Sequence, residues 1–146
     1  TVGQSLVCQS GSRRAISLDA ADVPDLVPAV AALAAVCRGT TVITNARRLK
    51  LKESDRLQAI GQTLISLGAD VDIQPDGLIL HGVRQLQGGT VDAWGDHRIA
   101  MMAAVASCAC TGPVTVLGAQ AVEKSYPGFW RDLRLLGKSC KVEEGL

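Results

Sequence analysis

The sequence is poor in aromatic side chains: Trp94, Tyr126, Phe129 and Trp130 are the only four in 146 residues. Base-stacking platforms need more rings than that, so the core must be aliphatic and rich in alanine. An excess of one charge is missing too. Lys and Arg number 15 against 14 Asp and Glu, a formal net charge of +1, which argues against a broad nucleic-acid-binding face and leaves any anion binding to local clusters. Apolar runs are short. Residues 26–37 and 99–110 each hold about a dozen residues, well below the ~20 that span a bilayer, and read as buried helices. The five cysteines, Cys8, Cys37, Cys108, Cys110 and Cys140, form an odd set without a Cys-x-x-Cys pair or a histidine partner at zinc spacing. They read as free thiols in a reducing, cytoplasm-like compartment, with no metal site and no disulfide framework. Thr1-Val2-Gly3-Gln4 opens the chain with neither a basic n-region nor an amphipathic presequence, so no targeting signal is expected. What is present, 47% hydrophobic and 20% charged residues, suits one compact domain able to bury its own core.

Two stretches of the chain repeat each other at an offset near 70 residues. Leu18-Asp19-Ala20 leads to Asp25, an Ala-rich helix, Gly39 and a β-branched strand over 40–44. Val91-Asp92-Ala93 leads to Asp96, a second Ala-rich helix, Gly112 and a strand over 114–117. In each, a short strand (15–19, 89–93) precedes an Asp able to cap a helix by accepting from its free N–H groups. The helix that follows is apolar on nearly every face and should be covered all round, with Pro28 in the first turn of the first one and a glycine stopping each. An amphipathic helix comes next, with Leu57, Ile60, Leu64 and Leu67 on one face, matched by Phe129, Leu133 and Leu136 in the second stretch. A hairpin over 70–74 and 78–81, turning at Pro75-Asp76-Gly77, closes the first. A strand over 141–143 starts to close the second, and residues 1–10 resemble a strand of an earlier unit. The fold class is therefore α/β, mixed α+β: two tandem βαβαββ-type units, at 11–83 and 88–146, whose Ala-rich helices lie innermost.

Chemistry is suggested by where the cations fall. Lys52 and Arg56, four positions apart, would stack on one helix face as like charges. Asp55 and Glu53 offer local pairing, as in any solvated charged face. His97 and Arg98 follow Asp96 at the beginning of the second inner helix, where the macrodipole disfavours cations and free N–H groups attract anions. Lys124 precedes the helix opened by Ser125, Tyr126 and Pro127. Cations at three helix beginnings are most simply explained by a phosphate or carboxylate ligand. The ordinary readings remain beside this one: His97 as a hydrogen-bonded structural histidine, Asp25 as a cap, His81 as a surface residue, Trp94 and Trp130 as packing.

Lys52-Glu53-Ser54-Asp55-Arg56, Asp96-His97-Arg98 and Lys124-Ser125-Tyr126-Pro127, in this order and at this spacing, resemble the 5-enolpyruvylshikimate-3-phosphate synthase family of enolpyruvyl transferases. The resemblance implies a domain of three βαβαββ units, of which this chain holds about two, with the N-terminal domain as its missing partner. It implies transfer of the enolpyruvyl group of phosphoenolpyruvate to the 5-hydroxyl of shikimate-3-phosphate, in aromatic amino-acid biosynthesis, without metal or organic cofactor. It implies that Asp25 binds shikimate and accepts the hydroxyl proton, that Lys52 binds the shikimate moiety, and that Glu53 protonates the donor's methylene carbon. Arg56, Arg98 and Lys124 are then phosphoenolpyruvate ligands, with His97 beside them. Arg48 stands where some members of the family place Asn near shikimate, so that contact is not implied. The related transferase acting on UDP-N-acetylglucosamine, and a non-catalytic anion-binding module of the same fold, are the competing readings. Neither a nucleic acid nor a membrane is an expected partner.

Overall fold

A computed structural model describes residues 11–137. Six strands and four α-helices succeed one another as β1 (Ser17–Asp19), α1 (Val27–Ala34), β2 (Thr40–Thr44), α2 (Arg56–Ser66), β3 (Asp70–Gln74), β4 (Gly77–His81), β5 (Gly89–Asp92), α3 (His97–Ala106), β6 (Val114–Leu117) and α4 (Phe129–Leu135). β1, β2, β4 and β3 lie side by side in that order in one sheet, and β5 pairs with β6 in another. The same parallel unit occurs twice. β1 runs parallel to β2 across α1, with Ser17 opposite Val42, and β5 runs parallel to β6 across α3, with Gly89 opposite Val114. Each first strand ends in the same local turn: the Asp19 carboxylate accepts from the Ala21 N–H at 2.9 Å, and that of Asp92 accepts from the Trp94 N–H. The strand expected over 141–143 and the one over 1–10 fall outside the described residues.

The hairpin forms with the expected strands. Its ladder runs from Asp70 opposite His81 to Gln74 opposite Gly77, so the loop is Pro75-Asp76 and Gly77 already belongs to β4. Glycine is needed there because a Cβ would sit 2.0 Å from the Ile43 carbonyl oxygen of the neighbouring strand. α2 buries the face its periodicity predicts: Leu57, Ile60, Leu64 and Leu67 are all inaccessible to solvent, each worth ~1.5–3 kcal/mol relative to exposure. They join one apolar cluster with residues of α1, β2, β4, β5 and α3, including Ala31, Ile43, Leu78, Val91, Ile99 and Ala103. Small side chains let α1 and α3 pack closely in its middle.

Four expectations need correction. The inner helices are not covered all round: Leu26 beside α1, Leu33 on it and Val105 on α3 are exposed. Apolar residues on every face of α1 and α3 do not by themselves name a neighbour for each face. Glycine does not stop these helices directly either, since α1 ends at Ala34 and α3 passes into a 3-10 turn at Ser107–Ala109 before Gly112. α4 begins at Phe129 rather than Ser125 and buries no residue completely, and its expected inner residue Leu136 is 80% exposed. Trp94 is no core residue. It is 44% exposed and adopts φ of +56°, whereas Trp130 is half-buried with its indole N–H donating to the Ala119 carbonyl. Cys37, Cys108 and Cys110 are free thiols, and among the described residues no helix is long and apolar enough to cross a membrane.

Replacing Gly77 with alanine should force β4 away from β2. We expect ~2 kcal/mol or more of lost stability, read as a lower urea midpoint with an unchanged slope; an unaltered midpoint would contradict the close approach.

Candidate active site

Both β1 and β2 lead their chain out of the sheet at the same end, and the segments that follow them carry the candidate residues. After β1 comes a 3-10 turn at Pro24–Leu26 that holds Asp25. Asp25 does not cap α1, whose N-cap is Leu26 without a side-chain bond. Its carboxylate is free to face outward. After β2, a 3-10 turn at Arg47–Leu51 gives way to Lys52 in extended conformation, and α2 starts only at Arg56, capped by Asp55 accepting from the Gln58 N–H. Lys52 and Arg56 therefore do not stack on one helix face. They converge on Asp25, with Lys52 Nζ at 3.4 Å and Arg56 Nη1 at 2.9 Å from Oδ1.

Arg56 is the centre of the arrangement. Its side chain is 1% exposed, and its guanidinium donates to three carboxylates from three segments. Nε reaches Asp96 Oδ2 at 2.8 Å, Nη2 reaches Asp96 Oδ1 at 3.2 Å, Nη1 reaches Asp25, and Nη2 also donates to Glu53. Asp96 is completely buried and accepts from more than Arg56. The Ser54 hydroxyl donates to it at 3.1 Å, and the Arg98 backbone N–H at 2.9 Å, which makes Asp96 the N-cap of α3. One carboxylate thus orients a buried guanidinium and starts the helix that carries His97 and Arg98. The sequence marked Asp96 as a cap; its grip on Arg56 spans 40 residues of chain, beyond the reach of any local signal.

The remaining candidates surround this pair. Arg98 Nη2 lies 3.3 Å from Asp25 Oδ2, and its Nη1 donates to the Asp25 carbonyl. His97 is buried with Nδ1 lacking a hydrogen-bond partner, 3.8 Å from Glu53 Oε1. Lys124 ends a 3-10 stretch at Ala119–Lys124, not the turn before a helix, and its Nζ donates to the Gly95 carbonyl at 3.3 Å beside Asp96. Arg48 donates to the Ala21 carbonyl at 3.2 Å. His81 lies away from all of these, with Nδ1 3.1 Å from the Thr40 hydroxyl.

Electrostatics at the site are nearly balanced. Asp25, Glu53 and Asp96 face Lys52, Arg56 and Arg98, so the cations carry their own counter-charges. Partial burial pushes the Asp25 carboxyl up, but the Arg98 charge, the hydrogen bond and charge of Lys52 and the charge of Arg56 outweigh it and hold it below its ordinary value. Burial likewise pushes Asp96 up and is overcome by the hydrogen bonds and charge of Arg56, the Arg98 N–H and the Ser54 hydroxyl. The chemical capacity divides accordingly. Lys52, Arg98 and Lys124 are partly or fully exposed and can turn from a protein oxygen to an anion, whereas Arg56 can reach one only if a carboxylate lets go.

A group whose folded pKa is depressed adds stability that is complete above the unfolded value and fades as pH falls towards the folded one. Asp96→Asn should therefore cost ~3 kcal/mol at pH 7, as for a broken buried ion pair. The gap between wild type and variant should narrow below about pH 4, as read by urea unfolding across pH. A gap that stays constant from pH 6 to pH 2.5 would contradict the ionised Asp96.

Comparison with known proteins bears on this geometry. A family model described as EPSP synthase (3-phosphoshikimate 1-carboxyvinyltransferase) matches residues 2–133. The chain is 54% identical over 122 residues to the 3-phosphoshikimate 1-carboxyvinyltransferase of Clostridium kluyveri, a match covering 84% of this chain and 29% of that protein. It is 43% identical over 138 residues to the enzyme of that name from Methanocella arvoryzae, covering 94% and 32%. A solved structure of EPSP synthase from Acinetobacter baumannii superposes with a TM-score of 0.74 at 32% identity, over 86% of this chain and 30% of that one. The chain spans about a third of the length of the curated relatives it matches.

Proposed function

The chain belongs to the EPSP synthase family, and from that premise we propose that it supplies the phosphoenolpyruvate side of an enolpyruvyl transferase site whose other face lies on the rest of the protein. One observation carries this reading: Asp25 and Glu53, two carboxylates able to exchange protons, are bridged by the single buried Arg56, while Lys52 and Arg98 stand on the same Asp25 with part of their surface open. Phosphoenolpyruvate bears a carboxylate and a phosphate. Arginine forks match both groups bidentately, and a cation whose present partner is only part-buried can be recruited to them.

In the proposed reaction Glu53 delivers a proton to the methylene carbon of phosphoenolpyruvate as the 5-hydroxyl of shikimate-3-phosphate adds to the neighbouring carbon, and Asp25 takes the hydroxyl proton. Collapse of the tetrahedral intermediate expels phosphate: Glu53, now a carboxylate, takes one proton from the methyl group, and the proton held by Asp25 leaves with the phosphate. Arg98, Lys124 and Arg56 hold the donor's anionic groups, and Lys52 with Asp25 holds the shikimate ring. Arg56 serves this only if its contact with Asp25 or Glu53 opens on binding. No metal or organic cofactor enters, and His97 lies beside the acid. Residues 11–83 and 88–146 are read as two βαβαββ units of a three-unit domain, a reading supported by the recurring parallel pairs and by the matching turns at Asp19 and Asp92. Free thiols suit a reducing, cytoplasmic setting for such an enzyme.

Since shikimate-3-phosphate must be gripped and water excluded by surfaces outside this chain, the 146 residues alone should release no phosphate from the two substrates. Supplying the rest of the protein as a second polypeptide should restore release. In that assembled enzyme Glu53→Gln and Asp25→Asn should each lower turnover on the order of 10²-fold or more. Arg98→Lys should raise the KM for phosphoenolpyruvate, because the planar fork is lost while the charge remains. Phosphate release by the isolated chain, or near-normal turnover in both carboxylate variants, would overturn this reading.

A further inference from the structure

Three more arginines gather at the opposite ends of the strands from the candidate active site. Arg13 lies just before β1, Arg38 just before β2 and Arg84 just after β4. Because β1 and β2 are parallel and β4 runs back along β2, these three positions share one edge of the sheet. The backbone ties them closely: the Arg38 N–H donates to the Arg13 carbonyl at 3.1 Å, and the Gly82 N–H to the Gly39 carbonyl at 3.0 Å. Gly82 lets the third strand come in, since a Cβ there would fall 1.5 Å from the Cys37 carbonyl oxygen. Between them opens a hollow of about 520 Å³, bordered by the three arginines together with Val36, Cys37 and Gly82.

No acidic residue lines this hollow. None of the three guanidinium groups forms an ion pair or a side-chain hydrogen bond among the described residues, in contrast to the saturated Arg56. The adjacent end of α1 does not use them either. The carbonyls of Leu33, Ala34 and Ala35 are taken by the N–H groups of Val36, Cys37 and Val83. Three positive charges thus stand together in a chain whose net charge is +1, with no carboxylate among the described residues paired to them. Neighbouring strands are ~4.8 Å apart, so the three strand ends span on the order of 10 Å. Both the span and the volume exceed what one phosphate fills. With no aromatic ring in the lining, recognition would rest on phosphate oxygens alone, each guanidinium able to bind two.

We propose that this hollow is a second anion site, separate from the active site, which takes a chain of two or three linked phosphates. Calorimetric titration of the 146-residue chain at fixed ionic strength, with inorganic tripolyphosphate, ATP and orthophosphate in separate arms, tests it. Tripolyphosphate should bind at least about tenfold more tightly than orthophosphate, and more weakly as salt is raised. Arg38→Ala combined with Arg84→Ala should weaken it at least tenfold with no loss of thermal midpoint, because these side chains hold no other group among the described residues. Arg98→Ala should leave it unchanged. ATP binding as well as tripolyphosphate would assign the site to a nucleotide's phosphate tail, and tripolyphosphate alone to inorganic polyphosphate; both support the proposal. Absence of tripolyphosphate binding, or binding lost in Arg98→Ala and intact in the Arg38 and Arg84 double variant, would overturn it without touching the proposed reaction.

Discussion

The buried contact between Arg56 and Asp96 is the constraint on which the rest of the structure turns. A guanidinium that is 1% exposed is tolerable only if its donors are met, and here they are met by side chains from three separate segments. Asp96 in turn is wholly buried and is satisfied from both sides, by Arg56 and by the first turn of α3. The pair therefore joins the first parallel unit to the second and fixes where α2 and α3 begin. Exchanging either residue leaves the other buried without its main counter-charge, a penalty that can exceed the attraction itself.

From that join the site inherits its character. Asp25 and Glu53 are held near each other because both lean on Arg56, and Lys52 and Arg98 are held because both lean on Asp25. The Asp25 carboxyl is held below its ordinary value by these neighbours, and the neighbours stay in place by virtue of the carboxylates. An arriving anion meets cations already gathered at low cost in repulsion, and has to compete with Asp25 and Glu53 for them. The second arginine cluster follows the opposite logic, with three cations placed together and no carboxylate among the described residues to receive them.

Much of this was legible in the sequence, for identifiable reasons. β2, β6, the hairpin and the buried face of α2 follow from local periodicity and turn chemistry, and the structure has them where those signals lie. The candidate residues other than Asp25 were legible as a set because three motifs carry them, and Asp25, Lys52, Glu53, Arg56, His97 and Arg98 do come together. What escaped is what depends on distant contacts. Lys52 reads as helical by spacing, but the 3-10 turn before it releases it from α2. Asp25 reads as a cap and instead faces Arg56, 31 residues away. Leu136 and Val105 read as core on apolar spacing, yet spacing cannot name the surface that would cover them. Arg13, Arg38 and Arg84 are unremarkable singly, and only strand order brings them to one edge.

Arg56 and Asp96 act as one buried unit that organises the cations around it, and a double-mutant cycle measures this directly. Unfolding free energies of wild type, Arg56→Met, Asp96→Asn and the double variant give their coupling, expected at ~2–3 kcal/mol, the upper range for groups in one hydrogen-bonded network. The double variant should accordingly be less destabilised than the sum of the single ones. Additivity within about 0.5 kcal/mol would contradict a buried unit, since it would mean that the two residues stabilise the chain independently.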